Sequence, residues 1–126
     1  MICLLCLRIV IYYLSIFVKK NVKSMKNMFK NCKLLKTLNL EHFDTNNVED
    51  FSSMFQHCQF LNELNISKFK TQKEKDMSNM FNGCFALKEL NISNFETKNV
   101  KNMSYMFSSC QTLKDLILLL NKHYRA

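Results

Sequence analysis

Residues 77–97 read MSNMFNGCFALKELNISNFET, and the fold follows from the recurrence of this stretch along the chain. Its Met80-Phe81 with Cys84 is preceded by Met28-Phe29 with Cys32 and by Met54-Phe55 with Cys58, and is followed by Met106-Phe107 with Cys110. The same 26-residue step carries Leu35 to Leu61, Leu87 and Leu113, and Leu38 to Leu64, Leu90 and Leu116. It also carries Phe43 to Phe69 and Phe95, and Thr45 to Thr71 and Thr97, with no insertion. Chance does not align so many columns, so the chain is a repeat protein whose units bury their apolar sides against one another.

Within a unit, Met77, Met80, Phe81 and Cys84 fall at i, i+3, i+4 and i+7, a spacing that predicts a short helix of about two turns with these residues on one stripe. Ser24, Asp50, Asp76 and Asn102 stand just ahead of that stripe, where a side-chain oxygen can cap the first free N–H groups. The column Asn31, His57, Gly83 and Ser109 precedes the cysteine and suits a left-handed exit. Leu87, Leu90 and Ile92 then read as a strand with Leu90 and Ile92 on one face. Phe95 and Thr97 follow as an aromatic rung and a hydroxyl rung on the return path. Neither so short a helix nor so short a strand is stable alone, so stacking must hold the units together. The expected fold is α/β: a solenoid of about four to five 26-residue helix-strand units with a parallel strand ladder. The units span 22–47, 48–73, 74–99 and 100–120, and 121–126 form a tail.

The ends are less regular. Residues 1–18 carry one charge, Arg8, and lead into Lys19 and Lys20, which reads as a signal peptide or membrane anchor by hydropathy alone. Stepping back one repeat, however, places Cys6 on the cysteine column, Ile9, Tyr12 and Leu14 on the leucine and isoleucine columns, and Phe17 on the phenylalanine column. A degenerate half repeat over 1–21 is the preferred reading, with the signal or anchor as the alternative; membrane contact is expected only in the latter case. At the other end Leu116–Leu120 is wholly apolar, a terminal strand through which the chain could self-associate.

Composition narrows the chemistry. The formal net charge is +8, but only Arg8 and Arg125 are arginines, so sequence-specific nucleic-acid binding is not expected. The chain has one glycine, no proline and no GxSxG, HExxH or glycine-rich phosphate loop. His42, His57 and His123 occupy different columns and do not converge. The cysteines one repeat apart stack as a ladder of apolar thiols rather than as four donors around one point, although neighbouring rungs could be bridged in an oxidising compartment. No catalytic residue, cofactor or metal is therefore expected.

The strand positions that point away from the leucines form polar columns. Thr37, Glu63, Glu89 and Asp115 make one, and Asn39, Asn65, Asn91 and Ile117 the next, with Glu41, Ser67, Ser93 and Leu119 beside them. Such a face either binds a protein partner, as the concave side of a solenoid does, or is merely solvated by its Asn and Ser. Lys68, Lys70, Lys73, Lys75, Lys98 and Lys101 crowd the loops between units, away from the acidic column. Glu74 stands where Val22, Val48 and Val100 occur, which makes the third junction the weakest in the stack. Of the three sequons, at Asn65, Asn91 and Asn102, the first two share one repeat column and are by-products of the repeat, so they do not show secretion.

The units NMFKNCKLLKTLNL, SMFQHCQFLNELNIS, NMFNGCFALKELNIS and YMFSSCQTLKDL resemble the BspA-like leucine-rich-repeat surface-protein family of bacteria, mycoplasmas and some protists. The resemblance covers residues 22–120 closely and 2–21 weakly, on an MSxMFxxCxxLxxLxIxxFxT signature. It implies a leucine-rich-repeat solenoid, display at the cell surface or secretion, and adhesion to a protein partner (host, matrix or self) rather than catalysis. It defines no binding residues. Members are commonly longer and carry secretion or anchoring signals.

Overall fold

The computed structural model describes Cys6, residues 21–113 and residues 115–117. The half repeat expected over 1–21 therefore lies, Cys6 and Asn21 apart, outside the described residues, as does the end of the apolar stretch Leu116–Leu120. Each unit contributes one short strand: β1 (Thr37–Asn39), β2 (Glu63–Asn65), β3 (Glu89–Asn91) and β4 (Asp115–Ile117). β1 and β2 pair in parallel with Leu38 opposite Leu64, and β3 and β4 pair in parallel with Leu90 opposite Leu116. The register is the sequence repeat itself. No ladder joins β2 to β3, so the strands form two two-stranded sheets lying side by side.

The segment expected to be helical is not. From residue 21 onward no described residue is helical; residues 26–31 and their equivalents are consecutive turns. In an α-helix the N–H of Phe29 would bond the carbonyl of Met25. Here it reaches the carbonyl of Met54 in the next unit at 2.9 Å, and Met25, Asn27 and Asn31 likewise donate to Asp50, Ser52 and Gln56. The residues between turn inward, Met28 to Met25 and Cys32 to Phe29. This alternation repeats from Phe51 to His57 and from Met77 to Gly83. It needs two left-handed residues per unit. One column is Asn31, His57, Gly83 and Ser109; the other is Asn27, Ser53, Asn79 and Tyr105, with φ of 57–61°. The expected caps keep their chemistry in a different setting. Asp50 Oδ1 accepts from Ser52 N at 2.8 Å and Asp76 Oδ1 from Ser78 N at 2.8 Å, closing turns, while Ser24, Asp50, Asp76 and Asn102 bridge one another in parallel.

The i, i+3, i+4, i+7 residues are nonetheless the core. Met77, Met80, Phe81 and Cys84 are fully buried, as are Met54, Phe55 and Cys58 one unit earlier. Phe29, Phe55, Phe81 and Phe107 stack with ring centroids 5.5–5.7 Å apart and planes within 7° of parallel. Thr45 and Thr71 each donate to and accept from the backbone of the following unit, at Lys70 and Glu96, making the hydroxyl rung a clasp between turns. Cys6 is buried in the same core cluster.

Gly83 combines two constraints. Its φ is +80°, and a Cβ there would stand 2.5 Å from His57 Nδ1 in the preceding unit. Gly83→Ala is expected to destabilise the chain by about 1–3 kcal/mol, read as a lower urea midpoint. Asn31, equally left-handed, is exposed and should tolerate Gly with little change.

Glu74 is fully buried in its valine column. One carboxylate oxygen, Oε1, accepts from Phe51 N and Asp76 N at 3.0 Å each, and the other, Oε2, has no partner among the described residues. The turn-side bonds across this junction are intact: Phe51 N still reaches Asp76 O at 3.1 Å and Ser53 N reaches Ser78 O at 2.9 Å. The break in the junction lies instead on the strand side, between β2 and β3.

Candidate functional site

The strands place the outward columns along one open depression of about 930 Å³, spanning β1 to β3. Six of the seven residues singled out in the sequence line it: Thr37, Asn39, Glu63, Asn65, Glu89 and Asn91. The seventh, Asp115, is opposite Glu89 in the backbone register of β4. Leu38, Leu64, Leu90 and Asn62 complete the lining, Leu38 and Leu90 with their side chains buried in the core.

The asparagine column turns out to have a structural task. Asn39 Oδ1 accepts from Glu41 N at 3.1 Å, Asn91 Oδ1 from Ser93 N at 3.0 Å, and Asn65 Oδ1 from both the N–H and the hydroxyl of Ser67. Each thereby closes the turn that ends its strand. The carbonyl oxygen is committed, and the amide NH2 groups have no partner among the described residues. The residue held is Ser67 or Ser93 in two units but Glu41 in the first, because it is the backbone N–H and not the residue type that the asparagine takes.

Charge is unevenly spread. Glu63 and Glu89 are exposed and take part in no ion pair among the described residues, whereas other acids do. Glu49 pairs with Lys75 across one repeat, and that ammonium holds its carboxyl below the ordinary range. Glu41 lies 3.3 Å from His42, an ion pair only when the imidazole is protonated. Lys73 donates to Asn47 in the preceding unit, so this loop lysine is tied to the asparagine one repeat before it.

The cysteine column is a ladder of thiols. Cys58, Cys84 and Cys110 donate to the carbonyls of Phe29, Phe55 and Phe81, at 3.1–3.2 Å. Burial raises their pKa values: Cys58 far above the thiol range, Cys84 to about 12 and Cys110 to about 11. Neutral, buried thiols are poor nucleophiles and ligands. Iodoacetamide labelling of the native chain at pH 8, mapped by mass spectrometry, should modify Cys110 first and Cys58 and Cys84 only as fast as the chain unfolds. Among the described residues no group of three or more His, Cys, Asp or Glu side chains is placed to hold a metal ion, and no helix is long and apolar enough to cross a membrane. His42 and His57 stand on separate loops of the repeat, and His123 is outside the described residues.

A family model described as "Mycoplasma protein of unknown function, DUF285" matches residues 12–119, which includes every stacked column described above. The chain belongs to this family. The DUF285 match takes in all four strands and begins ahead of the first described unit. No curated protein and no solved structure matches the chain. The description of DUF285 names no activity, so the function of this member has to be argued from its surface.

Proposed function

We propose that this DUF285 chain is a leucine-rich-repeat solenoid of the BspA-like surface type, acting as a non-catalytic adhesion module that holds a protein partner on its strand face. The observation that carries this reading is the coincidence of the outward strand columns with a single broad depression. An open face of outward Thr, Glu and Asn side chains spread over three strands suits a protein surface better than a small molecule, which needs a more enclosed site. Display at the cell surface follows from the resemblance to the BspA-like family.

The test is binding of the chain to immobilised matrix and host-surface proteins. Thr37→Trp, an exposed strand position at one end of the depression, should abolish it by filling the face without disturbing the core. Changing Glu63, Glu89 and Asp115 together to Lys should do the same. Unaltered binding by both variants would sink the proposal.

A second reading is favoured by the uniformity of the turn-side bonds: N–H groups of each unit meet carbonyls of the next in the same pattern at successive junctions. Such units are interchangeable, as in a module that stacks with neighbouring arrays and has no ligand of its own. A monomer whose sedimentation is independent of concentration would count against it.

A further inference from the structure

We propose that the strand face takes a basic polypeptide segment, whose lysine or arginine side chains meet the carboxylates of Glu63 and Glu89. This rests on the strand face being the binding surface and adds the chemistry of its occupant. The chain as a whole carries +8, yet the depression is lined by these two carboxylates and by otherwise neutral residues. Lys36 and Lys88 precede the acidic column by one residue and are exposed, but neither pairs with Glu63 or Glu89. The acidic charge on this face is thus left without a cation, unlike that of Glu49 on the loop side.

The neighbouring column supplies the complement. Because the Asn39, Asn65 and Asn91 carbonyl oxygens close turns, each amide presents only its NH2 group as a spare polar function. A row of donors beside a row of carboxylates matches an extended segment whose backbone carbonyls accept from the amides while its cationic side chains reach the glutamates. An acidic segment would meet Glu63 and Glu89 with like charge.

Fluorescence anisotropy of the full chain with two labelled peptides, one alternating Lys and Ser and one alternating Glu and Ser, tests the inference. A general electrostatic attraction to a +8 chain would favour the Glu peptide, so preference for the Lys peptide can come only from a local acidic face. The Lys peptide should bind, and Glu63→Gln with Glu89→Gln should weaken it about tenfold, at the scale of two exposed charge pairs. Glu96→Gln, exposed on a loop, should leave binding unchanged. Circular dichroism melts of each variant confirm that the fold is retained. No preference for the Lys peptide, or equal binding by the double variant, overturns the inference. If that happens while Thr37→Trp still abolishes capture of a protein partner, the strand face keeps its role and only its charge preference falls; if Thr37→Trp is also silent, both fall.

Discussion

Phe55→Ala is expected to lower the unfolding free energy by about 3–5 kcal/mol, enough to leave a single domain of this size barely folded. The Phe55 side chain is fully buried, with the ring of Phe29 5.7 Å away on one side and that of Phe81 5.6 Å away on the other. Removing it deletes the middle of a continuous stack, and the flanking rings cannot close the gap because each is held by backbone bonds to its own neighbours. Contacts in such an array are made only between adjacent units, so the loss should uncouple residues 21–47 from the rest. Urea unfolding followed by circular dichroism should show a lower midpoint and a broadened transition. Phe60→Ala, at a position 52% exposed, should change stability by less than about 0.5 kcal/mol.

The second large effect is of opposite sign. Glu74→Val, which restores the residue type of its column, is expected to stabilise the chain by about 2–4 kcal/mol at pH 8.5 and by little at pH 4.5. Burial raises the Glu74 pKa from an ordinary 4.5 to about 8; its two backbone N–H bonds oppose the shift, and Asp50 and Asp76 add to it. Because the folded value lies above the unfolded one, the protonated acid is the form the fold favours. The natural chain should therefore lose stability as pH rises from about 4.5, with the loss complete once pH passes 8. The carboxylate then sits buried with Oε2 unpaired. Glu74→Gln, neutral at every pH and able to keep the bonds to Phe51 and Asp76, separates the charge from the shape. Melting temperatures of the three chains between pH 4.5 and 8.5 should diverge as pH rises, and parallel curves would refute the account.

Much of this molecule is visible in its sequence because the core repeats where the letters repeat: Phe29, Phe55 and Phe81 stack, Leu38 opposes Leu64, and Thr45 clasps the next turn. What was misread is how the backbone carries those side chains. Burial at i, i+3, i+4 and i+7 is the mark of a helix, but a chain of tight turns can bury the same positions if its N–H groups bond outward to a neighbour. The signal against a helix was a second left-handed column, and only two of its members, Asn27 and Asn79, are of a type that readily adopts that conformation. Ser53 and Tyr105 hide it. Glu74 is a buried mismatch in its valine column, yet its junction is interrupted on the strand side, between β2 and β3, whose residues are both Glu-Leu-Asn. The Asn column of the strand face was readable as a surface, and its turn-closing role emerges only once the carbonyl directions are known.

The bonds between units run both ways: Met25, Phe51 and Met77 donate forward to Asp50, Asp76 and Asn102, while Glu49, Lys75 and Lys101, just ahead of the next turns, donate back to Lys23, Glu49 and Lys75. Each flank of a unit thus presents hydrogens and oxygens in a fixed order, and a neighbour seats on it only in the one register that matches every donor with an acceptor.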